Sequence, residues 1–533
     1  MHTVDSPVFD ADNHYYEALD AFTRHLRPED GPRVIQWVDV GGRKYHALGG
    51  QISGAVTNPT FDPVSPAGSL VDYFRGNPNG KSALELLGTP EPIRPEYRDR
   101  DARIAVMDAQ GLEKIWLFPT LGMVYEDALK HDPGAVVLLF RAFNRWLAED
   151  WGMAYQNRIF AAPYISLADV GEAVHELEWA LDQGARTVVL RAAAPVSVTG
   201  PHSPAHEMFD PFWARINESG ITVVVHAGDA GLSSNGYSPE GFSANFRRGN
   251  VTPSIKMFAI ERAAHDFLAT LILERLFDRF PNLRIASVEN GSEFLAPLFR
   301  KLTGAARKMP GYFREDPVVT FRRHVWINPF WEDDVNEIVD LMGDDRVIFG
   351  SDWPHIEGLP EPTDWVTELQ KLDGDAVAKI MGANVSALNE RRPPAGSKKT
   401  PTVREDRTKQ PPCLRTSSCC SAPPGIWRRA SSYRVSCTWR SRACSPNTAW
   451  SASPGASSPT RSSAIWHVRR VTSTQRARSR SCNGRDSSRG SASFPNRPGR
   501  TALRPGWPGP KHRSAARSAG CTTSAFHPRR PRT

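Results

Sequence analysis

The first 400 residues of this 533-residue chain lack cysteine, and the whole chain lacks a long apolar run. A region without cysteine needs no disulfides, which is typical of proteins from a reducing compartment. No stretch approaches the roughly 18 consecutive apolar residues of a spanning helix, and the acidic start, MHTVDSPVFDADNHYYE, is unlike a secretory signal. We therefore expect a cytoplasmic protein with no membrane partner.

Acidic residues are nearly absent from the end of the chain. Residues 401–533 hold 26 Lys and Arg but three acids, whereas residues 1–400 hold 40 basic and 55 acidic residues. The formal net charge of +8 is therefore an average over an acidic part and a strongly basic part. Because the two parts would not share a partner, we do not interpret this charge as a nucleic-acid signal and predict no nucleic-acid partner.

The tail, residues 393–533, also lacks hydrophobic periodicity. It is rich in Arg, Ser, Pro, Ala and Gly, contains all seven cysteines, and uses only two lysines beyond residue 400. This composition is typical of a disordered segment. It is also what an out-of-frame translation of GC-rich coding DNA yields. We predict a disordered basic tail and interpret it as frameshift-derived, with a genuine basic extension as the alternative.

Residues 1–392 alternate short β-rich apolar runs with amphipathic helical stretches, such as the helix predicted at Ala135–Trp151. This alternation is typical of an α/β protein with parallel strands, and eight repeats in about 390 residues predict a (β/α)8 TIM barrel. The predicted strands are Val8–Asp10, Lys114–Phe118, Ile159–Ile165, Thr187–Arg191, Thr222–His226, Arg284–Glu289, Val325–Asn328 and Arg346–Gly350.

The segment from about residue 38 to residue 94 has no place in a minimal barrel. It is rich in Gly and Pro, and GGRKYHALGG within it predicts a hairpin. We interpret the segment as a lid over the first strand that could supply Tyr45 or His46 to a pocket. A solvated surface decoration is the alternative.

Polar side chains follow the predicted strands, where the active site of a barrel lies. Carboxylates and imidazoles from separate strand ends are the ligands that a divalent metal needs. Each also has a simpler interpretation, such as a hydrogen-bonded core histidine for His226, a turn carboxylate for Asp352 or a loop brace for Glu289. The polar residues at these ends are Asp10, Asp12, His14, Arg191, His226, Glu289, Asp352 and His355.

Five motifs in this order resemble the amidohydrolase-related family, which includes aminocarboxymuconate semialdehyde decarboxylase. They are DADNHYYE, FDPFWARINESGITVVVHAGD, FPNLRIASVENGSEFL, HVWINPFWEDD and VIFGSDWPHIEG. The resemblance covers residues 5–390 and none of the tail. It implies a metal-dependent barrel enzyme whose ligands, commonly to zinc, fall here on Asp12, His14, His226 and Asp352.

Two positions depart from the family pattern. Asp12 stands where the first histidine of a His-x-His pair is usual, and this oxygen ligand could shift the preference from zinc toward manganese, iron or magnesium. Glu289 stands where the sixth strand usually ends in histidine, so the transfer of the family mechanism to this chain stays open.

The metal-site residues predict a hydrolase that acts on a small carbonyl or carboxylic acid compound through a metal-activated water. Asp352 or Glu289 would take the water proton, with His355 assisting. Arg191 is a candidate clamp for a substrate carboxylate, with a structural ion pair as its alternative, and Trp353 is a candidate substrate contact. The rival function is a non-oxidative decarboxylase with the same metal site. A homo-oligomer is also expected.

Overall fold

The computed structural model of the chain describes residues 6–231 and 255–394. The predicted tail lies almost entirely outside the described residues. Within them the chain has mixed α/β content, and no helix is long and apolar enough to cross a bilayer.

Two parallel sheets and two small antiparallel sheets contain the strands. The strands are β1 Phe9–Tyr15, β2 Ile35–Val40, β3 Arg43–Leu48, β4 Gln51–Ile52, β5 Lys114–Pro119, β6 Ile159–Ala161, β7 Thr187–Arg191, β8 Val196–Ser197, β9 Gly200–Pro201, β10 Thr222–His226, β11 Ile285–Val288 and β12 Val325–Ile327. The parallel sheets have the orders β1-β5-β6 and β12-β11-β10-β7.

Helices connect the parallel strands and cover them. The helices are α1 Val71–Phe74, α2 Ala83–Leu87, α3 Arg100–Ala109, α4 Gly122–Leu129, α5 Pro133–Asp150, α6 Val170–Asp182, α7 Asp210–Ser219, α8 Ala259–Leu273, α9 Leu276–Arg279, α10 Leu295–Lys308, α11 Pro317–His324, α12 Val335–Met342, α13 Gly374–Ala378 and α14 Asn384–Asn389. A π-helical turn, Lys379–Ala383, joins the last two.

The continuous apolar runs became buried parallel strands, as predicted. Every residue of β7 and β10 is buried, and both strands have the predicted bounds. Strands covered on both faces favour such unbroken Val-rich runs over alternating patterns. The predicted core-facing helix is also confirmed as α5, whose side chains Val136, Phe140 and Phe143 are buried. Asp132 begins this helix by accepting a hydrogen bond from Ala135 N.

The prediction of a regular eighth strand at Arg346–Gly350 is wrong. Arg346 ends a 3-10 turn, and Val347 forms one isolated parallel bridge with Ile327. Phe349 N donates to Ile380 O in the π-helical turn, so it is not available to a neighbouring strand. The segment still lies between β12 and β1, because Ile348 N donates to Ile327 O at 2.9 Å and Ala11 N donates to Phe349 O at 2.8 Å.

The two parallel sheets are also linked beyond the end of β6. Tyr164 bridges Val189 of β7, and Ile165 N donates to Val189 O at 2.9 Å. All of these links are parallel, so the strands direct their carboxyl ends toward one side of the structure.

The insertion differs from the predicted single hairpin. The sequence GGRKYHALGG forms one strand, β3, with a Gly-Gly turn at each end, and the result is the antiparallel sheet β2-β3-β4. All four glycines have positive φ, as tight hairpin turns require. Farther along the insertion, Gly68 N donates to His355 O and Leu70 N to Ile356 O, which ties it to the loop after the eighth segment.

Candidate metal centre

Four predicted side chains from separate strand ends meet around the imidazole of His14. Its Nε2 lies 3.2 Å from Asp12 Oδ1, 3.4 Å from Asp352 Oδ1 and 3.8 Å from Glu289 Oε2. His226 Nε2 lies 3.3 Å from Asp12 Oδ1 and from Glu289 Oε2. The residues come from β1, β10, the end of β11 and the turn after the eighth segment, so the parallel arrangement of the strands creates the cluster.

This cluster fits a divalent ion. Ligand atoms of Asp12, His14, His226 and Glu289 all lie within 4.8 Å of one another, whereas Asp352, the fourth predicted ligand, falls in a separate group with His14 and His355. Neither ring nitrogen of the buried His14 has a hydrogen-bond partner among the described residues. Leaving a buried polar group without a partner is costly, whereas imidazole nitrogens and carboxylate oxygens are the ordinary ligands of zinc, manganese and iron.

Burial and crowding shift the charges of these groups. Burial lowers the pKa of His14 to about 3 and raises the pKa of both Glu289 and Asp352 well above the usual carboxyl range. Burial also opposes ionisation of Asp12, but the adjacent imidazole of His14 and the hydrogen bond with His226 outweigh it and hold the pKa of Asp12 below its usual range. Several carboxylates this close together ionise jointly only when a cation neutralises them.

Two of the carboxylates lie on strained backbone. Glu289 has φ 56° and Asp352 has φ 57°, in the left-handed region that residues with a side chain seldom adopt. The backbone N–H groups are held, because Glu289 N donates to Asn328 Oδ1 at 3.1 Å and Asp352 N donates to Asp12 O at 2.8 Å. The fold thus fixes the direction of both carboxylates through their main chain.

Asp10 ties β1 to the turn that carries Asp352. Its Oδ1 accepts hydrogen bonds from Ser351 N at 2.9 Å and Asp12 N at 3.0 Å, and its Oδ2 accepts from Ser351 Oγ at 2.6 Å and Asn13 Nδ2 at 2.9 Å. Burial raises the pKa of Asp10 to about 7 although these bonds oppose the shift. Asp10 therefore connects the two segments that carry Asp12 and Asp352.

His355 lies beside Asp352, and two further neighbours, Thr120 and Glu357, were not predicted from the sequence. His355 Nδ1 is 2.6 Å from Asp352 Oδ1, and its Nε2 is 2.9 Å from Thr120 Oγ1. Glu357 completes a second group, in which ligand atoms of Glu289, Asp352, His355 and Glu357 lie within 4.8 Å of one another. Glu357 is two residues beyond His355 in DWPHIEG, and this spacing was the available signal; Thr120 had none.

The guanidinium of Arg191 is held by acidic side chains. Its Nε lies 3.6 Å from Glu126 Oε2 and its Nη1 3.3 Å from Asp127 Oδ1, while Nη1 donates to Asp229 O at 2.7 Å. Tyr164 also donates to Glu126, at 2.5 Å. These contacts favour the structural ion pair over the clamp, and a role in substrate binding stays a prediction.

Trp353 and His46 are packed among other rings. Trp353 is 4% exposed, and the Arg103 guanidinium lies 4.6 Å from its ring centre. His46 is buried, with Nδ1 2.8 Å from Tyr125 Oη and its ring 3.7 Å from that of Trp37. Tyr45 is half-buried on the same strand. None of these side chains belongs to the clusters described above.

A match to a protein family covers the part of the chain that contains His226, Glu289 and Asp352. A family model described as amidohydrolase matches residues 77–387. The chain belongs to this amidohydrolase family. The family is metal-dependent, in agreement with the cluster of His, Asp and Glu side chains in this amidohydrolase.

Solved structures are similar to this chain to different degrees, and one of the similarities agrees with the family assignment. An amidohydrolase from Mycobacterium avium subsp. paratuberculosis K-10 is 40% identical over 73% of this chain and 100% of its own, with a TM-score of 0.68. A 2,6-dihydroxybenzoate decarboxylase from Rhizobium is 21% identical over 54% of this chain and 88% of its own, with a TM-score of 0.43. A 5-carboxyvanillate decarboxylase from Sphingomonas paucimobilis is 16% identical over 73% and 100%, with a TM-score of 0.46. A comparison with curated proteins found no match.

Proposed function

We propose that this amidohydrolase is a metal-dependent hydrolase of a small carbonyl or carboxylic acid compound, built on a closed barrel in which the irregular Val347–Phe349 segment takes the place of an eighth strand. The observation that carries the proposal is the buried imidazole of His14, which has no hydrogen-bond partner among the described residues and faces three carboxylates. Parallel hydrogen bonds on both sides of the Val347–Phe349 segment support the barrel.

Asp12, His14, His226 and Asp352 would hold the ion. When bound, a divalent ion supplies Lewis acidity, which acidifies water and polarises a substrate oxygen. Two imidazoles and two carboxylates suit zinc, and the share of oxygen ligands also suits manganese, iron or magnesium. The fixed backbone of Asp352 and the hydrogen bonds of Asp10 would keep the ligands in place.

Glu289 and Asp352 would handle the proton released when water attacks the substrate. Glu289 is 3.3 Å from His226 Nε2, and Asp352 is 2.6 Å from His355 Nδ1. A proton taken by Asp352 could pass to His355 over a single hydrogen bond and then reach the leaving group. His355 is oriented for this step by its second hydrogen bond, to Thr120.

A non-oxidative decarboxylase is the second candidate function. Arg191, the side chain first considered for a substrate carboxylate, is engaged by Glu126 and Asp127. An acid substrate would then place its carboxylate against the metal, the arrangement that decarboxylation with this site requires. The small-molecule substrate, the cytoplasmic location and the homo-oligomer stay predictions.

Elemental analysis and isotope labelling together test these proposals. The purified chain should contain stoichiometric divalent metal, and His226→Ala and Asp352→Asn should lose it. Absence of metal from the parent protein would refute the site. A panel of esters, lactones, amides and carboxylic acids would then be assayed in ¹⁸O-labelled water with CO₂ detection. Incorporation of ¹⁸O without CO₂ supports the hydrolase, and release of CO₂ supports the decarboxylase.

A further inference from the structure

Arg103 of α3 is a buried cation beside the strand that carries His14. Its side chain is fully buried, and it forms no ion pair with any acidic side chain in the described part of the chain. Its Nη2 donates to His14 O at 2.7 Å, its Nη1 donates to Asn13 Oδ1, and its Nε donates to Glu96 O at 2.8 Å. Burying a charge without a counter-charge is costly, so an arginine that is buried among neutral acceptors indicates a specific role.

The main chain of His14 is fixed on both sides. His14 N donates to Trp353 O at 2.7 Å, and His14 O accepts from Arg103. A histidine that binds a metal typically donates its second ring N–H to a fixed acceptor, but neither ring nitrogen of His14 has such a partner among the described residues. The ring of His355 stacks on the imidazole at 4.0 Å between centres. The hydrogen bonds that fix His14 are therefore those of its main chain.

Arg103 also contacts the turn that carries Asp352. Its guanidinium carbon lies 4.6 Å from the ring centre of Trp353, the residue after Asp352. A planar guanidinium can lie over an indole ring while it donates several hydrogen bonds in fixed directions, which the compact ammonium of lysine cannot reproduce. One side chain therefore contacts both the strand of His14 and the turn of Asp352.

A second connection between Arg103 and this turn runs through side chains. Asn13 accepts from Arg103 and donates to Asp10 Oδ2 at 2.9 Å, and the same oxygen of Asp10 accepts from Ser351 Oγ at 2.6 Å. Ser351 directly precedes Asp352. Arg103 is therefore linked to the residues on both sides of Asp352.

We propose that Arg103 is a positioning residue of the metal centre, which fixes His14 and Asp352 relative to each other. It acts through the main chain of His14 and the ring of Trp353, and it contacts neither the ion nor the substrate. The inference rests on the proposed function, because His14 and Asp352 are two of the proposed ligands. It adds that metal affinity depends on the planar shape of this side chain and not on its charge alone.

Arg103→Lys tests the proposal, because it keeps the charge and removes the planar group of donors. The full chain, without a histidine tag, would be stripped with chelator and titrated with Mn²⁺, and electron paramagnetic resonance would measure free and bound ion. We expect Arg103→Lys to bind Mn²⁺ about 10–100-fold more weakly than the wild type, the usual effect of losing a group that supports a metal ligand. The spectrum of the bound ion should also change, because the ligands are displaced.

Arg284→Lys is the matched control. Arg284 precedes β11, at the end of that strand opposite to the metal centre. Like Arg103, it donates to neutral oxygens, here the main-chain oxygens of Gly220, Ala387 and Glu390. Arg284→Lys should lower stability to urea and leave both the affinity for Mn²⁺ and the spectrum of the bound ion unchanged. A merely structural role of Arg103 predicts the same result for Arg103→Lys.

Trp353→Leu removes the ring that the guanidinium contacts and leaves Arg103 and every proposed ligand in place. It should also weaken Mn²⁺ binding. Independent losses of affinity multiply, whereas substitutions that disrupt one shared contact do not. Because Arg103 acts in part through Trp353, the double variant Arg103→Lys/Trp353→Leu should bind Mn²⁺ more tightly than the product of the two single losses predicts.

The outcomes separate this proposal from the proposed function. Wild-type affinity and an unchanged spectrum in Arg103→Lys would overturn the positioning role and leave the proposed function standing. An equal loss of affinity in Arg284→Lys would also overturn it, because general destabilisation would explain both. If Arg103→Lys does not fold, Trp353→Leu decides, and wild-type affinity in that variant would overturn the role. No Mn²⁺ in the wild type, together with no metal in the protein as purified, would overturn both proposals.

Discussion

Replacing Arg191 with methionine tests whether this arginine is structural. Its side chain is buried, with Nε 3.6 Å from Glu126 Oε2 and Nη1 3.3 Å from Asp127 Oδ1. Glu126 is buried as well, and its only other side-chain partners among the described residues are the hydroxyls of Tyr164 and Ser166. In Arg191→Met, the buried carboxylate of Glu126 would therefore have only neutral hydroxyl groups as side-chain hydrogen-bond donors.

The expected loss follows from that environment. Removing one partner of a buried ion pair costs about 3–5 kcal/mol, because the other charge stays buried. Glu126→Gln should cost a similar amount. The double variant Arg191→Met/Glu126→Gln should be more stable than the sum of both losses predicts, with a coupling energy of about 1–3 kcal/mol.

Urea unfolding of the full chain, followed by tryptophan fluorescence and circular dichroism, measures these free energies. Arg141→Met is the matched control, because Arg141 pairs with Glu172 on the surface and should cost at most about 1 kcal/mol. A stability of Arg191→Met within about 1 kcal/mol of the wild type would refute the structural role. If that variant also lost affinity for an acid substrate, the carboxylate clamp would be the better explanation.

Two further predictions concern acid stability and a close backbone contact. Burial lowers the pKa of His46 to about 3, so the unfolded chain takes up a proton first as pH falls below about 6.5, and stability should fall by about 2 kcal/mol between pH 6.5 and 5. His46→Gln should shrink the shift in urea midpoint between pH 7 and 5, and an unchanged shift would contradict this. In Gly350→Ala the new Cβ would lie 2.5 Å from Asp12 Cβ, so metal affinity and stability should both fall. Gly374→Ala, with open space at its Cβ, should change neither.

Sequence patterns predicted the parallel strands well and irregular backbone poorly. The β7 and β10 bounds were predicted correctly because unbroken β-branched runs between turn residues have few alternatives. The chain from Phe258 to Arg279 forms two helices and not one, because Arg275 adopts a left-handed conformation (φ 58°) that a right-handed helix cannot continue through. The periodicity of apolar residues continues across that break and does not reveal it.

At the candidate site, the sequence predicted several ligand residues but not the hydrogen bonds that support them. Asp12, His14 and His226 could be predicted because strand ends in a parallel sheet converge. Thr120 and Asp10 act through hydrogen bonds whose partners lie more than 230 residues away, at His355 and Ser351. No local pattern encodes such contacts, since they depend on how distant loops pack.

The cluster also links metal binding to folding. Burial raises the pKa of Glu289 and Asp352 and lowers that of His14, which means that the fold disfavours the charged states of its own ligands. An ion that binds only the folded chain reverses this penalty and stabilises it by about 2.7 kcal/mol at 100 times its Kd. Thermal stability should therefore rise with Mn²⁺ concentration in the wild type. The rise should be smaller in His226→Ala, because this variant lacks one of the proposed metal ligands.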